Sequence, residues 1–169
     1  MRIMVVSDTH GEFDKFNKAV LTQQSAQIVI HLGDQNGELE DVKSLYPEKC
    51  FIGVRGNCDL GSKLPDSEEL NLEGTKIYMT HGHLHNVKLG FGEISAAARK
   101  RDANIVLFGH THCPFCEYIT GLHMLNPGSL RMTDTYATID ILENGIVTNI
   151  VDMRKNKVYS EFDIDLLYY

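Results

Sequence analysis

Long apolar runs are missing from this sequence. Nothing approaches the roughly 20 residues that a membrane-spanning helix requires, so no membrane partner is expected. The run behind Met1-Arg2, Ile3 to Val6, is too short for the core of a signal peptide. The expectation is a cytoplasmic protein whose four cysteines are reduced thiols. Positive charge is also in short supply: 16 Lys and Arg stand against 23 Asp and Glu, a formal net charge of −7. Proteins that grip nucleic acid by neutralising phosphates are normally basic, which disfavours a long nucleic acid as partner. A small anionic substrate would have to be attracted locally, by a metal or an arginine. Linkers, repeats and low-complexity tracts are absent too, so residues 1–169 read as one domain. A chain of this size can bury roughly 70% of its unfolded surface and needs neither disulfides nor metal merely to fold. The oligomeric state is left open.

What is present is an ordered series of short apolar runs with turn residues at their ends. Ile3 to Val6, Gln27 to Leu32 and Phe51 to Val54 read as buried strands. Between them, Phe13, Phe16, Val20 and Leu21 recur at helical spacing, predicting a helix over about Glu12 to Gln24. Leu39, Val42, Leu45 and Tyr46 mark a shorter one stopped by Pro47. After a loop from Gly61 to Ser67, Leu70 to Leu72 and Lys76 to Met79 flank Glu73-Gly74-Thr75 as a hairpin. Ile94, Ala97, Ala98 and Arg101 place a helix over about Gly92 to Asp102, followed by a strand from Ile105 to Phe108. Tyr118-Ile119 and Leu122 to Leu125 flank Thr120-Gly121. Tyr136 to Leu142 and Ile146 to Val151 flank Asn144-Gly145, a strong hairpin signal. The tail, Arg154 to Tyr169, reads as one or two edge strands. Strand-helix-strand in front and hairpins behind indicate a single mixed α/β domain with more than one kind of sheet connection.

Five of these strands deliver the same kind of chemistry at their carboxyl ends, where open α/β sheets place their sites. The first gives Asp8 and His10, the second Asp34, the third Asn57, the hairpin strand His81, and the last His110 and His112. If the chain stays extended past Gly109, His110 and His112 point the same way. Oxygen and imidazole donors with no required thiolate suit Mn²⁺, Fe, Zn²⁺ or Ni²⁺. Seven protein ligands exceed one tetrahedral ion and fit two if a carboxylate bridges. Two metals about 3.5–4 Å apart serve phosphate-ester hydrolysis well.

Asp8-x-His10, Gly33-Asp34, Gly56-Asn57-Cys58-Asp59, His81-Gly82 and Gly109-His110-x-His112, in that order, resemble the calcineurin-like metallophosphoesterase superfamily. The size and the Gly-Asn-Cys-Asp variant are most similar to its small bacterial and archaeal phosphodiesterases. The resemblance implies an α/β/β/α sandwich, two packed β-sheets flanked by helices. It implies two divalent ions, Mn²⁺ first, with Ni²⁺, Fe²⁺ or Zn²⁺ as alternatives. Asp8, His10 and His112 would hold one ion, Asn57, His81 and His110 the other, and Asp34 both. A hydroxide shared by the ions would attack phosphorus in line, and Asn57 would also touch a phosphoryl oxygen. The implied substrate is a small phosphate ester, a diester before a monoester. Many members carry a histidine after Gly-Asn that assists catalysis; here Cys58 stands there, which leaves the general acid unassigned and points to esters with good leaving groups.

Several residues have two readings. His83 follows His81 by two and either faces the same space as a phosphate-binding or proton-donating group or is an ordinary loop histidine. Asn126-Pro127-Gly128-Ser129 resembles a loop bordering the family's active site, making Arg131, and similarly Arg55, a candidate for substrate phosphate; a solvated arginine is the plain alternative. Asp59 reads as a supporting or turn residue. His85 and His123 are expected to be exposed, and His31 to lie in the core or between layers. Two rival functions remain: a non-catalytic scaffold of the retromer-subunit type on the same fold, which expects missing ligands, and a thiol redox or zinc-binding protein built on Cys113 and Cys116.

Overall fold

Strand β1 (Arg2–Val6) explains the layering. Ile3 and Val5 point into one hydrophobic cluster and Met4 and Val6 into another, and all four are fully buried. A strand covered on both faces reads as an unbroken apolar run rather than an alternating one. The computed structural model describes residues 1–160. Helix α1 (Phe13–Thr22), strand β2 (Ile28–His31), helix α2 (Glu38–Leu45) and strand β3 (Cys50–Gly53) follow β1 in right order for two strand-helix-strand units. β1 pairs parallel with β2, and β2 with β3. Both helices pack on the Met4/Val6 face through Phe16, Ala19, Val20, Leu39 and Val42.

The second sheet begins with β4 (Ser67–Leu72) and β5 (Thr75–Thr80). Helix α3 (Gly92–Arg99) leads into β6 (Ile105–Leu107), and β7 (Pro114–Ile119) with β8 (Leu122–Pro127) completes this sheet in the order β4-β5-β6-β8-β7. β5, β6 and β8 run parallel to one another. The chain then returns to the first sheet through β9 (Thr135–Leu142), β10 (Gly145–Asp152) and β11 (Lys157–Ser160), giving the order β11-β10-β9-β1-β2-β3. Ile3, Val5, Ile28 and Ile30 of one sheet meet Ile77, Met79, Ile105, Leu107 and Leu125 of the other in the central core. α3 covers the outer face of the second sheet through Ile94 and Ala98. The result is the expected sandwich of two mixed sheets with helices outside.

Turns and edges depart from expectation in detail. Leu72 pairs with Thr75, so the first hairpin loop is Glu73-Gly74 alone, with φ of 50° and 81° as a tight primed turn requires. Leu142 pairs with Gly145, moving the last hairpin loop one residue forward to Glu143-Asn144. β7 starts at Pro114, well before Tyr118; proline is tolerated there because β7 is an edge strand. Of the tail, Lys157–Ser160 forms one edge strand, and residues 161–169 lie outside the described residues. His31 is enclosed in the core as read. His85 and His123, expected to be exposed, are half-buried: His85 Nε2 lies 3.3 Å from the Tyr78 hydroxyl, and the His123 ring packs 4.6 Å from that of Tyr118. Among the described residues no helix is long and apolar enough to cross a membrane.

Candidate metal centre

The carboxyl ends of β1, β2 and β3 in one sheet and of β5 and β6 in the other converge on one place. Backbone hydrogen bonds tie these ends together: Asp8 N–H donates to Gly33 O, His10 N–H to Asp34 O and Gly109 N–H to His81 O, each at 3.0 Å. The glycines before the expected ligands are what permit this approach. A Cβ on Gly56 would collide with the Asp34 carboxylate, and one on Gly109 with the Ser7 hydroxyl and Asp8 Oδ2.

The chain does not stay extended past Gly109. His110 and His112 both have positive φ, 65° and 60°, and so do Asp8, His10 and Asp34 at 54°, 46° and 58°. Five of the seven expected ligands therefore hold a left-handed conformation that costs on the order of 1–3 kcal/mol each and persists only where surroundings impose it. As a result His110 and His112 serve different groups. The donor atoms of Asp8, His10 and His112 lie within 4.8 Å of one another, as do those of Asp34, His81 and His110. His112 Nε2 is 3.0 Å from Asp8 Oδ1; His81 Nε2 is 3.5 Å from Asp34 Oδ2. His10 Nε2 is 3.8 Å from both Asp8 Oδ1 and Asp34 Oδ2, which puts Asp34 between the two groups. Asn57 Oδ1 lies 3.2 Å from His81 Nε2.

The electrostatics fit divalent cations. Asp8 Oδ1 is enclosed and accepts no hydrogen bond among the described residues, although three imidazoles surround it. A buried carboxylate oxygen left so is costly unless a cation meets it. His81 Nδ1 donates to Leu32 O at 2.8 Å, which turns Nε2 toward Asp34, Asn57 and His110. Such a bond to the far ring nitrogen commonly orients a metal-bound histidine. Burial opposes ionisation of Asp8, but the adjacent His112 and His81 imidazoles and the Ser7 hydroxyl outweigh it and hold the carboxyl below its usual range. Burial is likewise outweighed at Asp34 by the His81 hydrogen bond and charge and by the Cys58 backbone N–H. Burial together with the His81 charge pushes His110 down to about 4. Two ionised carboxylates and a neutral His110 are the protonation states that ligation demands, whereas burial at His81 is outweighed by Asp34 and Asp8, which raise its pKa, so that ring must give up a proton to bind a metal.

The residues that hold this geometry were mostly not singled out from sequence. Asp59 is buried, and its carboxylate accepts from Asp34 N–H and Gly56 N–H on Oδ2 and from Gln35 N–H on Oδ1, all at 2.8 Å. It thereby clamps the Asp34 loop to the Asn57 loop. Asn126 Nδ2 donates to Gly109 O and to Thr111 Oγ1, fixing the His110–His112 segment, while its Oδ1 accepts from Gly128 N–H. Ser129 Oγ donates to Asp8 O at 2.8 Å, and Ser7 Oγ to Asp8 Oδ2 at 2.6 Å. The signals in sequence were the supporting or turn reading of Asp59 and the resemblance of Asn126-Pro127-Gly128-Ser129 to a loop near the site, neither of which named the groups they hold.

The remaining candidates ring the centre. The His83 ring is half-buried, 5.4 Å from that of His81 and 6.1 Å from that of His110, and its Nδ1 accepts no hydrogen bond among the described residues. The Arg131 side chain is exposed at the edge and donates to His10 O at 3.3 Å. Arg55 is engaged with Asp66 at 2.8 Å. Cys58 is exposed, and its sulfur lies within 4.8 Å of the donor atoms of His10 and Asp34. Cys113 is exposed ahead of β7, whereas Cys116 is buried within it, 3.2 Å from Thr148 Oγ1. Among the described residues neither joins a cluster of metal-type donors, which gives the zinc reading no site.

The family model for the calcineurin-like phosphoesterase superfamily domain matches residues 1–144. The chain belongs to this superfamily. Among relatives within it, the probable metallophosphoesterase YsnB of Bacillus subtilis is 29% identical over 164 residues, covering 94% of this chain and 95% of that protein. The phosphodiesterase YfcE of Escherichia coli is 27% identical, covering 89% and 91%. The crystal structure of a Streptococcus pneumoniae predicted phosphoesterase, 27% identical, superposes with a TM-score of 0.78 over 94% of this chain and 97% of its own. Vacuolar Protein Sorting 29 of Cryptosporidium parvum, 18% identical, shares the calcineurin-like fold with a TM-score of 0.78 over 94% of each chain.

Proposed function

We propose that this calcineurin-like protein is a dinuclear metal-dependent phosphodiesterase. The observation that carries the reading is the Asp8 oxygen enclosed without a hydrogen bond among three imidazoles, beside an Asp34 carboxylate set between two donor groups. Asp8, His10 and His112 would hold one ion and Asn57, His81 and His110 the other, with Asp34 shared between them, and Mn²⁺ is expected ahead of Ni²⁺, Fe²⁺ or Zn²⁺. Bound there, divalent ions supply positive charge for the phosphoryl oxygens and make water a usable nucleophile near neutral pH.

The chain's own residues orient and hold the ester. Asn57 is exposed at the centre, where its amide reaches a phosphoryl oxygen. His83 faces the His81/His110 side and handles a proton or phosphate oxygen there. Arg131 lies over the His10 side as a counter-charge. Arg131, only loosely paired with Glu12 at 4.0 Å while Arg55 is held by Asp66 at 2.8 Å, is one positive charge at the rim, which suits the single charge of a diester. The name of the E. coli relative supports the same choice. The scaffold alternative predicts missing ligands, and all seven positions are filled. The substrate is a small phosphate ester encountered in the cytoplasm.

The test is hydrolysis of bis(4-nitrophenyl) phosphate by metal-stripped protein after Mn²⁺, Ni²⁺, Zn²⁺ or Mg²⁺ is returned, with Asp34→Ala alongside. Metal-dependent turnover that disappears in the variant is expected. Two ions bound with no turnover would favour the scaffold, and no ion bound would overturn the centre itself.

A further inference from the structure

The far ring nitrogen of His112 faces sulfur: its Nδ1 lies 2.9 Å from Met132 Sδ. A thioether carries no proton, so this bond makes Nδ1 the donor and leaves the Nε2 lone pair for the centre. Nε2 is turned to Asp8 Oδ1 at 3.0 Å, and that oxygen accepts no hydrogen bond among the described residues. The backbone under Met132 is fixed. Met132 N–H donates to Ser129 Oγ at 3.1 Å, and the same hydroxyl donates to Asp8 O. On either side, Lys15 Nζ donates to Arg131 O and Thr133 N–H to Ser129 O, both at 2.9 Å. The Met132 side chain is nevertheless 62% exposed, in contrast to the buried Leu32 that takes the far nitrogen of His81 on its carbonyl.

Resting on the metal-centre reading, we propose that Met132 is a positioning residue for His112, and that its thioether is a modification site at which oxidation by a peroxide loosens the seat of one ion. The acceptor behind a metal-bound histidine fixes its tautomer and ring direction, and is ordinarily a carboxylate, a carbonyl or water. A thioether does the same more weakly, and it can be oxidised. A sulfur lone pair attacks one peroxide oxygen, and the S–O bond forms as the O–O bond breaks. The departing hydroxide takes the proton of the transferred hydroxyl and leaves as water. Sulfur is oxidised by two electrons and the peroxide reduced by two. The sulfoxide presents an electron-poor sulfur and an added oxygen, which cannot face Nδ1–H in the place the thioether held. Nε2 then loses its direction. Met4, Met79 and Met124 are buried, so among these methionines the oxidant reaches Met132 first. The Asp34, His81 and His110 group is spared, because His81 is oriented by a carbonyl that peroxide does not attack.

The experiment compares wild type with Met132→Leu, which keeps the bulk and removes the acceptor, and Met132→Gln, which restores an acceptor as an amide carbonyl. The position is exposed, so the fold should tolerate both. Nitrogen NMR of the metal-free protein at mildly alkaline pH should find His112 protonated on Nδ1 in wild type and Met132→Gln, and a mixture of tautomers in Met132→Leu. Mn²⁺ titration followed by EPR should show one of two ions bound about 10–100-fold more weakly in Met132→Leu, with Met132→Gln close to wild type. Hydrogen peroxide, followed by a thiol reductant to return reversibly oxidised Cys58 and Cys113 to thiols, should weaken the same ion in wild type. Methionine sulfoxide reductases A and B should restore it, with peptide mass spectrometry placing the oxygen on Met132. Wild-type tautomer and affinity in Met132→Leu, or a Met132→Gln variant as weak as Met132→Leu, would overturn the positioning role. A sulfoxide at Met132 with unchanged or tighter binding would overturn the modification site. Two ions bound by wild type without hydrolysis of bis(4-nitrophenyl) phosphate would bring down the phosphodiesterase reading and leave Met132 its role. No ion bound would bring down the centre and this assignment together.

Discussion

His81 Nδ1–H donates to the carbonyl of Leu32 across the two sheets at 2.8 Å. One residue directly follows β5 in one sheet and the other directly follows β2 in its partner, so the bond fastens the sheets together at the point where the ligands gather. It also fixes the ring so that Nε2 enters the centre. His81→Ala removes the imidazole and should abolish the second ion's site. Its activity should fall beyond the 10–100-fold that outer-shell changes cost in metal proteins. Metal stoichiometry by elemental analysis, dropping from two ions to one per chain, is the check; retention of both ions would remove His81 from the ligand set.

Asp59 does for the backbone what His81 does for the ring. Replacing it with alanine leaves the N–H groups of Asp34, Gln35 and Gly56 without their acceptor, and each buried group so orphaned costs about 1–3 kcal/mol. Asp59→Asn should be milder, because one oxygen remains. Urea denaturation should rank the wild type above Asp59→Asn above Asp59→Ala. Metal affinity should weaken about 10–100-fold in the asparagine variant. A variant with wild-type stability and affinity would show that the clamp is dispensable.

Cys58 occupies a place where a histidine would set a charged donor beside the phosphoryl group. A protonated thiol is uncharged and cannot supply that charged donor; in the metal-free protein burial, then the Asp34 hydrogen bond and charge, raise its pKa. The enzyme should therefore depend steeply on leaving-group pKa. Cys58→His should speed alkyl esters with poor leaving groups while changing 4-nitrophenyl esters little. An unchanged leaving-group dependence, measured across a series of substituted phenyl and alkyl esters, would count against this account.

His31 should make stability fall in mild acid. Its Nδ1 accepts from Gly33 N–H at 3.1 Å, its Nε2 meets Thr9 Oγ1 at 3.0 Å, and burial pushes its pKa down from 6.5 to about 4. The unfolded chain binds this proton near pH 6.5 and the folded chain only near pH 4. The stability it contributes is fully present above pH 6.5 and is lost as pH falls through the window to 4. By pH 5 the loss from this group is about 2 kcal/mol. Urea midpoints of metal-free protein at pH 7, 6 and 5 should show the slope, reduced in His31→Gln. A ring that titrates near 6.5 by NMR would contradict it.

Much of this was legible before folding. The apolar runs of β1, β2 and β6 announced buried strands because strands covered on both faces need continuous hydrophobic side chains, whereas β3, read as buried too, is an edge strand with Cys50 exposed and Phe51 and Ile52 only half-buried. The residues at their ends announced a metal site because Asp, Asn and His recur there in order. Less visible was β7, since Pro114 and Cys113 mask an edge strand that pairs only on one side. The one-residue offset of the last hairpin loop was hidden as well, because Asn144-Gly145 carries the turn signal although Gly145 itself opens β10. Asp59 read as a supporting or turn residue and Asn126 and Ser129 as part of a loop near the site, but which groups they hold was hidden because their partners lie far away in the chain.

The sequence by itself therefore determined the class of fold and the seven residues of the expected centre, since both depend on local pattern and chemical type. Which histidine stands with which carboxylate was decided only by tertiary structure. His110 and His112 are two residues apart and would share a direction on an extended chain. The left-handed backbone at both, held by Asn126 and by Asp8 Oδ2 accepting from His110 N–H at 3.1 Å, turns them toward separate groups.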